Sequence, residues 1–531
     1  MKHLNFTLIL LLFAAMATAQ PKPQNWNPQS PKREFRGAWI ATVANIDYPK
    51  QPTMERAALK EQYKNLADQF KELGFNALIV QVRPAGDAFY PSQLAPWSRY
   101  LTGRQGQAPA DFDPLAFMVE ETHARGMEFH AWLNPFRATV NLDTLSLAPN
   151  HPFNTHRNWL VTFGGRMYFN PGIPEVRKYL VDVVGEIVDN YDVDAIHFDD
   201  YFYPYPVKDA VFPDSLEYDF FGRGYNNIDD WRRSNVDALI EALSLRIKES
   251  KPGVKFGISP FGVWRNKSKD PNGSDTRASI STYDDLHADV LKWARLGWID
   301  YVAPQIYWNI GYAPADYATL VDWWSARVKG CQLYIGQAAY KVNNNPEIAW
   351  QDPNEIPRQI ALNRKNWYTN GSVFYSAKSV INNPLGLKDT LRSLYKYPAL
   401  LPEMERLEIN AFKDPDLRRV RNKEGRPYIV WKPNKKERGN PPLYYVVYRF
   451  KGPATGDFES AANILYITPW QANEKKWTFL DKSAETGQIY TYAVKAVNRR
   501  HTEGPASRTR SIEKTETRVK NANPGFLGRL R

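Results

Sequence analysis

The chain has 531 residues, of which 43% are hydrophobic and 24% are charged. This length favours two or more domains, and the composition excludes an intrinsically disordered chain. The formal net charge of +12 comes with no arginine-rich low-complexity tract and no zinc-finger spacing, so we do not expect nucleic acid as a partner. The positive charge suits an acidic glycan, although a solvated basic surface would give the same number.

The N-terminus predicts export. "MKHLNFTLILLLFAAMATAQ" has a basic start, an apolar run over 8–15 and small residues at Ala17 and Ala19, which predicts a signal peptide over 1–19. No apolar run is long enough to span a bilayer comfortably, so no integral membrane segment is expected. Because Cys331 is the only cysteine, we expect neither a lipid anchor nor an intramolecular disulfide. The sequence thus predicts a periplasmic or secreted protein that is not a lipoprotein.

A polar leader over 20–32 precedes a regular alternation of β-rich and helical segments. The predicted strands are 34–43, 76–84, 128–137, 193–200, 255–264, 300–308, 333–340 and 371–379. The predicted helices are 56–73, 114–124, 174–190, 228–248, 283–296, 314–328, 356–367 and 387–395. Eight strand–helix units without a glycine-rich phosphate turn predict an α/β fold, a closed (β/α)₈ TIM barrel over 33–400.

The pattern changes after the barrel. A linker is expected over 401–415, followed by short alternating strands such as "RPYIVWKPN", "LYYVVYRF" and "YTYAVKAVN". These segments predict a small all-β sandwich over 416–515, and they resemble a fibronectin type III module. A basic tail over 516–531 ends the chain. We expect the sandwich to be a spacer or packing module, with glycan binding as the alternative.

Polar side chains are expected at the carboxyl ends of the barrel strands, where active sites of this fold lie. Alternation along each strand sends one set of side chains to the helices and the other to the lumen. The residues expected to face the lumen are Gln81, Arg83, His130, Trp132, Asn134, His197 and Asp199. Gln305 and Tyr307, with Trp308 nearby, are expected at the mouth. A polar mouth indicates an active site, since stability alone needs only apolar layers.

The adjacent carboxylates Asp199 and Asp200 in "VDAIHFDDYFYPYP" are the candidate catalytic residues. Neighbouring acids separate their pKa values, so that one keeps its proton while the other stays charged, as glycoside cleavage requires. The roles of the two remain open. The alternative is that Asp199 forms a structural ion pair with an arginine while Asp200 caps a loop. Asp47 and Asp87 are weaker candidates for a second carboxylate.

The candidate substrate-binding residues are Arg83, Asn134, Arg137, His197, Gln305, Tyr307 and Trp308. The arginines could grip a carboxylated sugar, or pair with the two acids instead. The amides suit hydroxyl or acetamido groups, or could fix loops, and the aromatic rings suit stacking on a sugar. For Trp39, Trp97 and Trp264 a core or lid-packing role is favoured over subsite walls.

Six motifs carry a family resemblance. They are "EFRGAWIATVANIDYP", "NALIVQVRPAGDAFYPS", "HAWLNPFR", "VDAIHFDDYFYPYP", "GISPFGVWRN" and "APQIYWNIG". Together, over residues 33–397, they resemble the bacterial glycosyl hydrolase-like 10 family, which includes a division-site lipoprotein acting on peptide-free peptidoglycan strands. The resemblance implies a glycosidase with a polysaccharide or oligosaccharide substrate. The positions that match the family motif are Arg83, Asn134, Asp199, Asp200, Gln305 and Tyr307. Loops that set the substrate vary, so the glycan stays open.

Two other functions compete with this interpretation. A metal-dependent hydrolase could use His130, His197 and Asp199, but the eight histidines are scattered and none forms an HxH or HExxH pair. We therefore expect no metal and no cofactor. The second alternative is a barrel that binds glycan without cleaving it, because a fold does not guarantee chemistry.

Overall fold

The computed structural model describes residues 27–109, 111–404, 413–434, 442–470 and 474–522. The predicted signal peptide, most of the leader, and parts of the linker and tail lie outside these ranges. Eight parallel strands close into a barrel in the order β1-β10-β9-β8-β7-β6-β3-β2, which confirms the predicted TIM barrel. The strands up to residue 374 are β1 Phe35–Ile40, β2 Ala77–Arg83, β3 Glu128–Leu133, β4 Leu160–Phe163, β5 Arg166–Phe169, β6 Ala195–Phe198, β7 Lys255–Ile258, β8 Tyr301–Val302, β9 Gln332–Gln337 and β10 Gly371–Phe374. The pair β4–β5 is a hairpin outside the barrel.

Helices follow the barrel strands, and each predicted helix overlaps a helix of the structure. The helices are α1 Arg56–Glu72, α2 Arg99–Thr102, α3 Pro114–His123, α4 Pro152–Thr155, α5 Pro174–Asn190, α6 Ser215–Phe221, α7 Ile228–Ser250, α8 Val290–Leu296, α9 Tyr317–Arg327, α10 Glu355–Lys365, α11 Ala377–Ile381 and α12 Leu387–Leu394. The short helices α2, α4, α6 and α11 lie in connections where no helix is predicted. Within the described ranges, no helix is long and apolar enough to cross a membrane.

Strand alternation divides the barrel side chains as the sequence predicts. Leu78 and Val80 of β2 pack in the large core between strands and helices, whereas Ile79 packs in the lumen. The lumen also holds Trp132 and Tyr301, both buried. Large rings fill this space, so the barrel interior is a packed core with its polar layer at the ends of the strands.

Two antiparallel sheets follow the barrel. One has the order β11-β12-β15 and the other β14-β13-β16-β17-β18. Their strands are β11 Asp416–Lys423, β12 Arg426–Lys432, β13 Tyr444–Lys451, β14 Ile464–Ile467, β15 Trp477–Leu480, β16 Gln488–Val497, β17 Arg510–Lys514 and β18 Val519–Asn521. Trp431 of the first sheet shares a buried cluster with Tyr445 and Val447 of the second, as in a sandwich. The likeness to a fibronectin type III module stays a prediction.

The sandwich closes the base of the barrel, at the opposite end from the carboxyl ends of the strands. His501 Nε2 lies 2.9 Å from Oε1 of Glu128, the first residue of β3. Lys255 Nζ lies 2.5 Å from the same oxygen, and His130 Nε2 lies 2.8 Å from Oε2. Burial would raise the pKa of Glu128, but Lys255 and the two histidines outweigh burial and hold that pKa well below its ordinary value. A residue of the sandwich thus completes a buried charge network of the barrel.

Candidate active site

The two candidate acids follow β6 directly, and each is 4% exposed. Asp199 Oδ2 accepts hydrogen bonds from Trp132 Nε1 at 3.1 Å and from Asn134 Nδ2 at 3.4 Å. Both donors come from the end of β3, which pairs with β6 in parallel, so their positions follow from barrel register. The structure therefore brings together Asp199, Trp132 and Asn134 at the carboxyl ends of two neighbouring strands.

Asp200 has different partners. The Tyr205 hydroxyl donates a short hydrogen bond to its Oδ2 from the loop after β6. The Gln305 side chain also hydrogen-bonds to Asp200 and donates from Nε2 to the carbonyl of Ser259 at 3.0 Å. Gln305 extends the barrel beyond β8, since it forms isolated bridges with Phe261 and Gly336. Asp200 is thus held by a tyrosine and an amide.

Electrostatics distinguish the pair from ordinary surface carboxylates. Burial, followed by the charge of Asp200, raises the pKa of Asp199 to about 7, and the nearby Arg137 opposes this rise only in part. Burial also raises the pKa of Asp200, against the hydrogen bond from Tyr205. At neutral pH the pair therefore retains a proton, which is the state a general acid needs.

The alternative of a structural ion pair is not realised for the described residues, because no arginine or lysine lies within 4 Å of either carboxylate. Arg137 acts on both acids only through its charge, since its guanidinium lies over the ring of Tyr201, 4.4 Å from the ring centroid. Arg137 Nε is buried and has no hydrogen-bond partner among the residues that the structure describes. Arg137 therefore places a positive charge near Asp199 and Asp200 but forms no ion pair with either carboxylate.

The prediction that Arg83 faces the lumen is wrong. The register between β2 and β3 shifts between Gln81 and Arg83, so Arg83 pairs with Leu133, whose side chain packs on the helix side. Arg83 Nη2 instead donates to the hydroxyl of Tyr179 on α5 at 3.3 Å. A β-bulge turns the side chain to the other face, which strict alternation along the strand does not anticipate.

The prediction that His197 contacts substrate also needs correction. It does face the lumen, but it is completely buried one residue pair below Asp199. Its Nδ1 lies 2.8 Å from the Tyr301 hydroxyl, and its Nε2 lies 3.0 Å from Ser259 Oγ and 3.1 Å from Trp39 Nε1. Both ring nitrogens are occupied, so His197 forms the floor of the site.

An aromatic wall surrounds the carboxylates. The Tyr201 and Tyr205 rings meet edge to face with centroids 5.6 Å apart, and Tyr205 lies near Phe261 in the same way at 6.2 Å. Trp308 contacts Phe261 at 5.5 Å, so the rings continue around the mouth. The sequence pattern predicts no role for Tyr201 or Tyr205. The dense aromatics of "YFYPYP" were the available signal, but loop residues follow no periodicity that would orient them.

Tyr307 belongs to a second group of rings on the neighbouring strand ends. It lies nearly parallel to Tyr375 with centroids 6.2 Å apart and meets Tyr340 edge to face at 5.8 Å. Lys341 Nζ donates to the Tyr307 carbonyl at 2.7 Å, which fixes this loop. Tyr307 is partly exposed, so part of its surface remains open to a ligand.

The other acidic candidates have their own partners. Asp47 Oδ1 accepts from Ser376 Oγ and from the backbone N of Lys378, each at 2.7 Å. Asp87 is 3% exposed and hydrogen-bonds to Ser98 and Gln105. Neither joins the pair, so both fix loops at the barrel mouth.

The three tryptophans considered as subsite walls pack against other protein side chains. Trp39 lies in the lumen core, and Trp264 is stacked on Trp323 with centroids 5.8 Å apart. Trp97 is partly buried and packs against the core between barrel and helices. These surroundings agree with the core role favoured from sequence. Among the described residues, no three His, Cys, Asp or Glu side chains are grouped as metal ligands.

Comparison with known proteins identifies the family. The model of the family "Glycosyl hydrolase-like 10" matches residues 34–352. The chain belongs to this family. It is 46% identical over 488 residues to the glycosyl hydrolase YngK of Bacillus subtilis, covering 91% of this chain and 94% of YngK. It is 39% identical to the glycosyl hydrolase DigH of Escherichia coli K12, covering 69% of this chain and 88% of DigH.

Among solved structures, the PgaB glycoside hydrolase domain from Bordetella bronchiseptica superposes on 68% of this chain and 99% of its own length, with a TM-score of 0.45 and 15% identity. Membership of the glycosyl hydrolase-like 10 family makes the chain a glycoside hydrolase with a carbohydrate substrate. In TIM-barrel enzymes the active site lies at the carboxyl ends of the strands, the end of the barrel at which the two acids lie.

Proposed function

We propose that the chain is an exported glycosidase that cleaves N-acetylated or acidic polysaccharide, such as peptide-free peptidoglycan strands, with Asp199 and Asp200. The observation that carries the proposal is a buried acid of pKa about 7 beside a second carboxylate, with no ion pair within 4 Å in the described part of the chain. An acid that stays protonated near neutral pH suits protonation of a leaving glycosidic oxygen.

The two acids receive different roles in the proposal. Asp199 gives its proton to the glycosidic oxygen while the bond from that oxygen to the anomeric carbon breaks. On an N-acetylated sugar, the acetamido oxygen forms a bond to the anomeric carbon, and Asp200 accepts a hydrogen bond from the acetamido N–H. Water then forms a bond to the anomeric carbon and gives a proton to Asp199, while the bond from the acetamido oxygen to the anomeric carbon breaks and restores the acetamido group. Trp132 and Asn134 fix the orientation of Asp199 throughout.

The substrate class is proposed from groups around the pair. Beside the acids, Arg137 has a buried Nε that no described residue partners, which suits a carboxylate on the sugar. Tyr307, Trp308 and Tyr201 offer rings for stacking on sugar faces. Peptidoglycan strands carry N-acetyl groups and lactyl carboxylates, so they supply a partner for each of these residues. Export through the predicted signal peptide would place the enzyme where such glycans occur.

The test incubates the full mature chain with peptide-free peptidoglycan strands, chitin oligomers and neutral plant polysaccharides, and mass spectrometry identifies the products. We expect cleavage of the N-acetylated glycans. The Arg137→Gln variant should raise KM for the carboxylated strands by roughly tenfold or more, as expected for a lost charge-assisted contact, and change KM for neutral chitin oligomers little. Cleavage restricted to neutral polysaccharides without acetamido groups would contradict the proposed substrate class.

A further inference from the structure

A second cleft lies where the sandwich meets the base of the barrel. Its cavity volume is about 200 Å³, roughly the space of one sugar ring. The barrel contributes the end of α1, the segment before β2 and the chain after α12, and the sandwich contributes Tyr444, Ile467 and Trp470. These barrel segments lie at the amino ends of the strands, so the cleft and the two acids are at opposite ends of the barrel.

The lining combines aromatic rings with two lysines and one carboxylate, that of the exposed Glu72. Trp470 and Tyr444 are nearly parallel, 8° apart, with centroids separated by 6.2 Å, and both line the cleft. Lys71 and Lys396 line it too, and both are exposed. In the part of the chain that the structure describes, neither ammonium has a carboxylate within 4 Å. Nearby protein atoms desolvate the Lys71 ammonium and lower its pKa to about 8.

We propose that this junction cleft binds a carboxylated sugar unit of the polymeric substrate, as a second attachment point remote from the acids. The acidic substrate class rests on the proposed function. The lysines supply charge for a carboxylate, and the exposed part of Trp470 supplies an apolar surface for the ring. Clefts between domains are common ligand sites, and within the described ranges neither lysine of this cleft forms an ion pair with a carboxylate.

Binding at the junction cleft affects long polymers and short oligosaccharides differently. A long glycan held at the junction cleft keeps the enzyme near further strands, so the second contact acts through effective concentration. Short oligosaccharides that fill only the mouth gain nothing from this contact. The sandwich then contributes directly to polymer binding, in addition to sealing the barrel base through His501 and Glu128.

The test compares two double variants of the full chain with equal charge loss. Lys71→Gln/Lys396→Gln alters the junction cleft, whereas Lys329→Gln/Lys365→Gln removes two exposed lysines elsewhere. Each is placed on an Asp199→Asn background, and binding to peptide-free peptidoglycan strands is measured by sedimentation. We expect the cleft variant to bind the strands roughly tenfold more weakly or worse, and the control variant to bind normally. A conservative Lys71→Arg/Lys396→Arg variant should restore binding.

Further measurements distinguish the possible causes of weaker strand binding. On the otherwise unchanged chain, the cleft variant should keep kcat/KM for short oligosaccharides within about twofold, and its binding to neutral chitin should be unchanged. Equal strand binding by the cleft and control variants would overturn the inference. So would displacement of the strands by millimolar inorganic phosphate alone, which would indicate a general anion site. If the cleft variant loses strand binding but the parent chain turns over no glycan, the proposed function is contradicted and the proposed binding site in the junction cleft is still supported.

Discussion

Trp132 donates a hydrogen bond from its indole Nε1 to Oδ2 of Asp199 across 3.1 Å, from the strand beside the one that carries the acid. The Trp132 ring also meets the His197 ring edge to face, with centroids 6.5 Å apart. Trp132 thus supports the Asp199 carboxyl group from the lumen core, and the backbone N of Tyr201 in the loop after β6 donates to Asp199 Oδ1 at 3.5 Å. The Tyr205 side chain of the same loop bonds to Asp200. This difference in support suits the different roles that we propose for the two acids.

The first prediction concerns the pH dependence of turnover. Because Asp199 has a pKa of about 7, its proton is present below pH 7 and lost above it. We expect kcat to fall along an alkaline limb with an apparent pKa near 7, a value that belongs to the coupled pair. In Asp200→Asn the neighbouring negative charge is gone, so the limb of the residual activity should shift to lower pH. An unchanged limb in that variant would contradict the coupling.

The second prediction concerns the free energy of unfolding. The folded-state pKa of Asp199 lies above its unfolded value of 3.8, so folded protein binds this proton more tightly and loses stability as pH rises from about 4 to about 7. Asp199→Asn removes that loss. We expect the variant to gain up to about 4 kcal/mol over the parent at pH 8 and little at pH 4, measured by denaturant unfolding. The control is Asp182→Asn on the exposed side of α5, which should show no such pH-dependent gain.

Tyr205 gives a third prediction. Its hydroxyl hydrogen bond to Asp200 opposes the rise in the pKa of that acid, so Tyr205→Phe should raise the pKa further and free the carboxyl group to rotate. We expect kcat to fall roughly tenfold or more, with the acidic limb of the pH profile, which reports the ionisation of Asp200, displaced to higher pH. Tyr218→Phe on α6 is a matched control because its hydroxyl donates a long hydrogen bond, 3.4 Å, to the Tyr225 carbonyl, away from both acids. Equal kinetics in both variants would remove Tyr205 from the site.

The fourth prediction concerns the barrel base. His501→Ala removes a buried partner of Glu128, so the free energy of unfolding should fall by about 2–4 kcal/mol, while KM for short substrates stays unchanged because the mouth is at the other end. His156→Ala, at an exposed loop position, is the control and should cost little. Denaturant unfolding at pH 7 checks both. If His501→Ala is as stable as the control, the sandwich does not complete the barrel base.

The sequence predicts the barrel well because its strands and helices have clear periodicity. All eight strands and all eight main helices overlap their predicted ranges. In TIM barrels the active-site residues lie at the carboxyl ends of the strands. This rule correctly predicts that Asn134 lies near Asp199 and that Gln305 lies near Asp200. The same rule places Arg137 near the pair, although its stacking on Tyr201 depends on loop geometry.

The predictions for Arg83 and His197 fail for physical reasons that the periodicity of the sequence does not reveal. Arg83 faces the helices because an extra residue enters the ladder between β2 and β3. His197 faces the lumen as predicted, but Trp39, Ser259 and Tyr301 occupy its ring nitrogens, and these contacts join distant segments of the chain. The link from Glu128 to His501 spans 373 residues, so local sequence carries no sign of it.

The central claim is that the acids after β6 cleave the glycosidic bond, and turnover by Asp199→Asn and Asp200→Asn tests it most directly. Products released from peptide-free peptidoglycan strands are quantified by mass spectrometry, with thermal unfolding to verify folding. We predict that each substitution lowers kcat by roughly a hundredfold or more while Asp182→Asn stays at the parental rate. Parental rates in both folded variants would contradict the account and assign the chemistry to other residues.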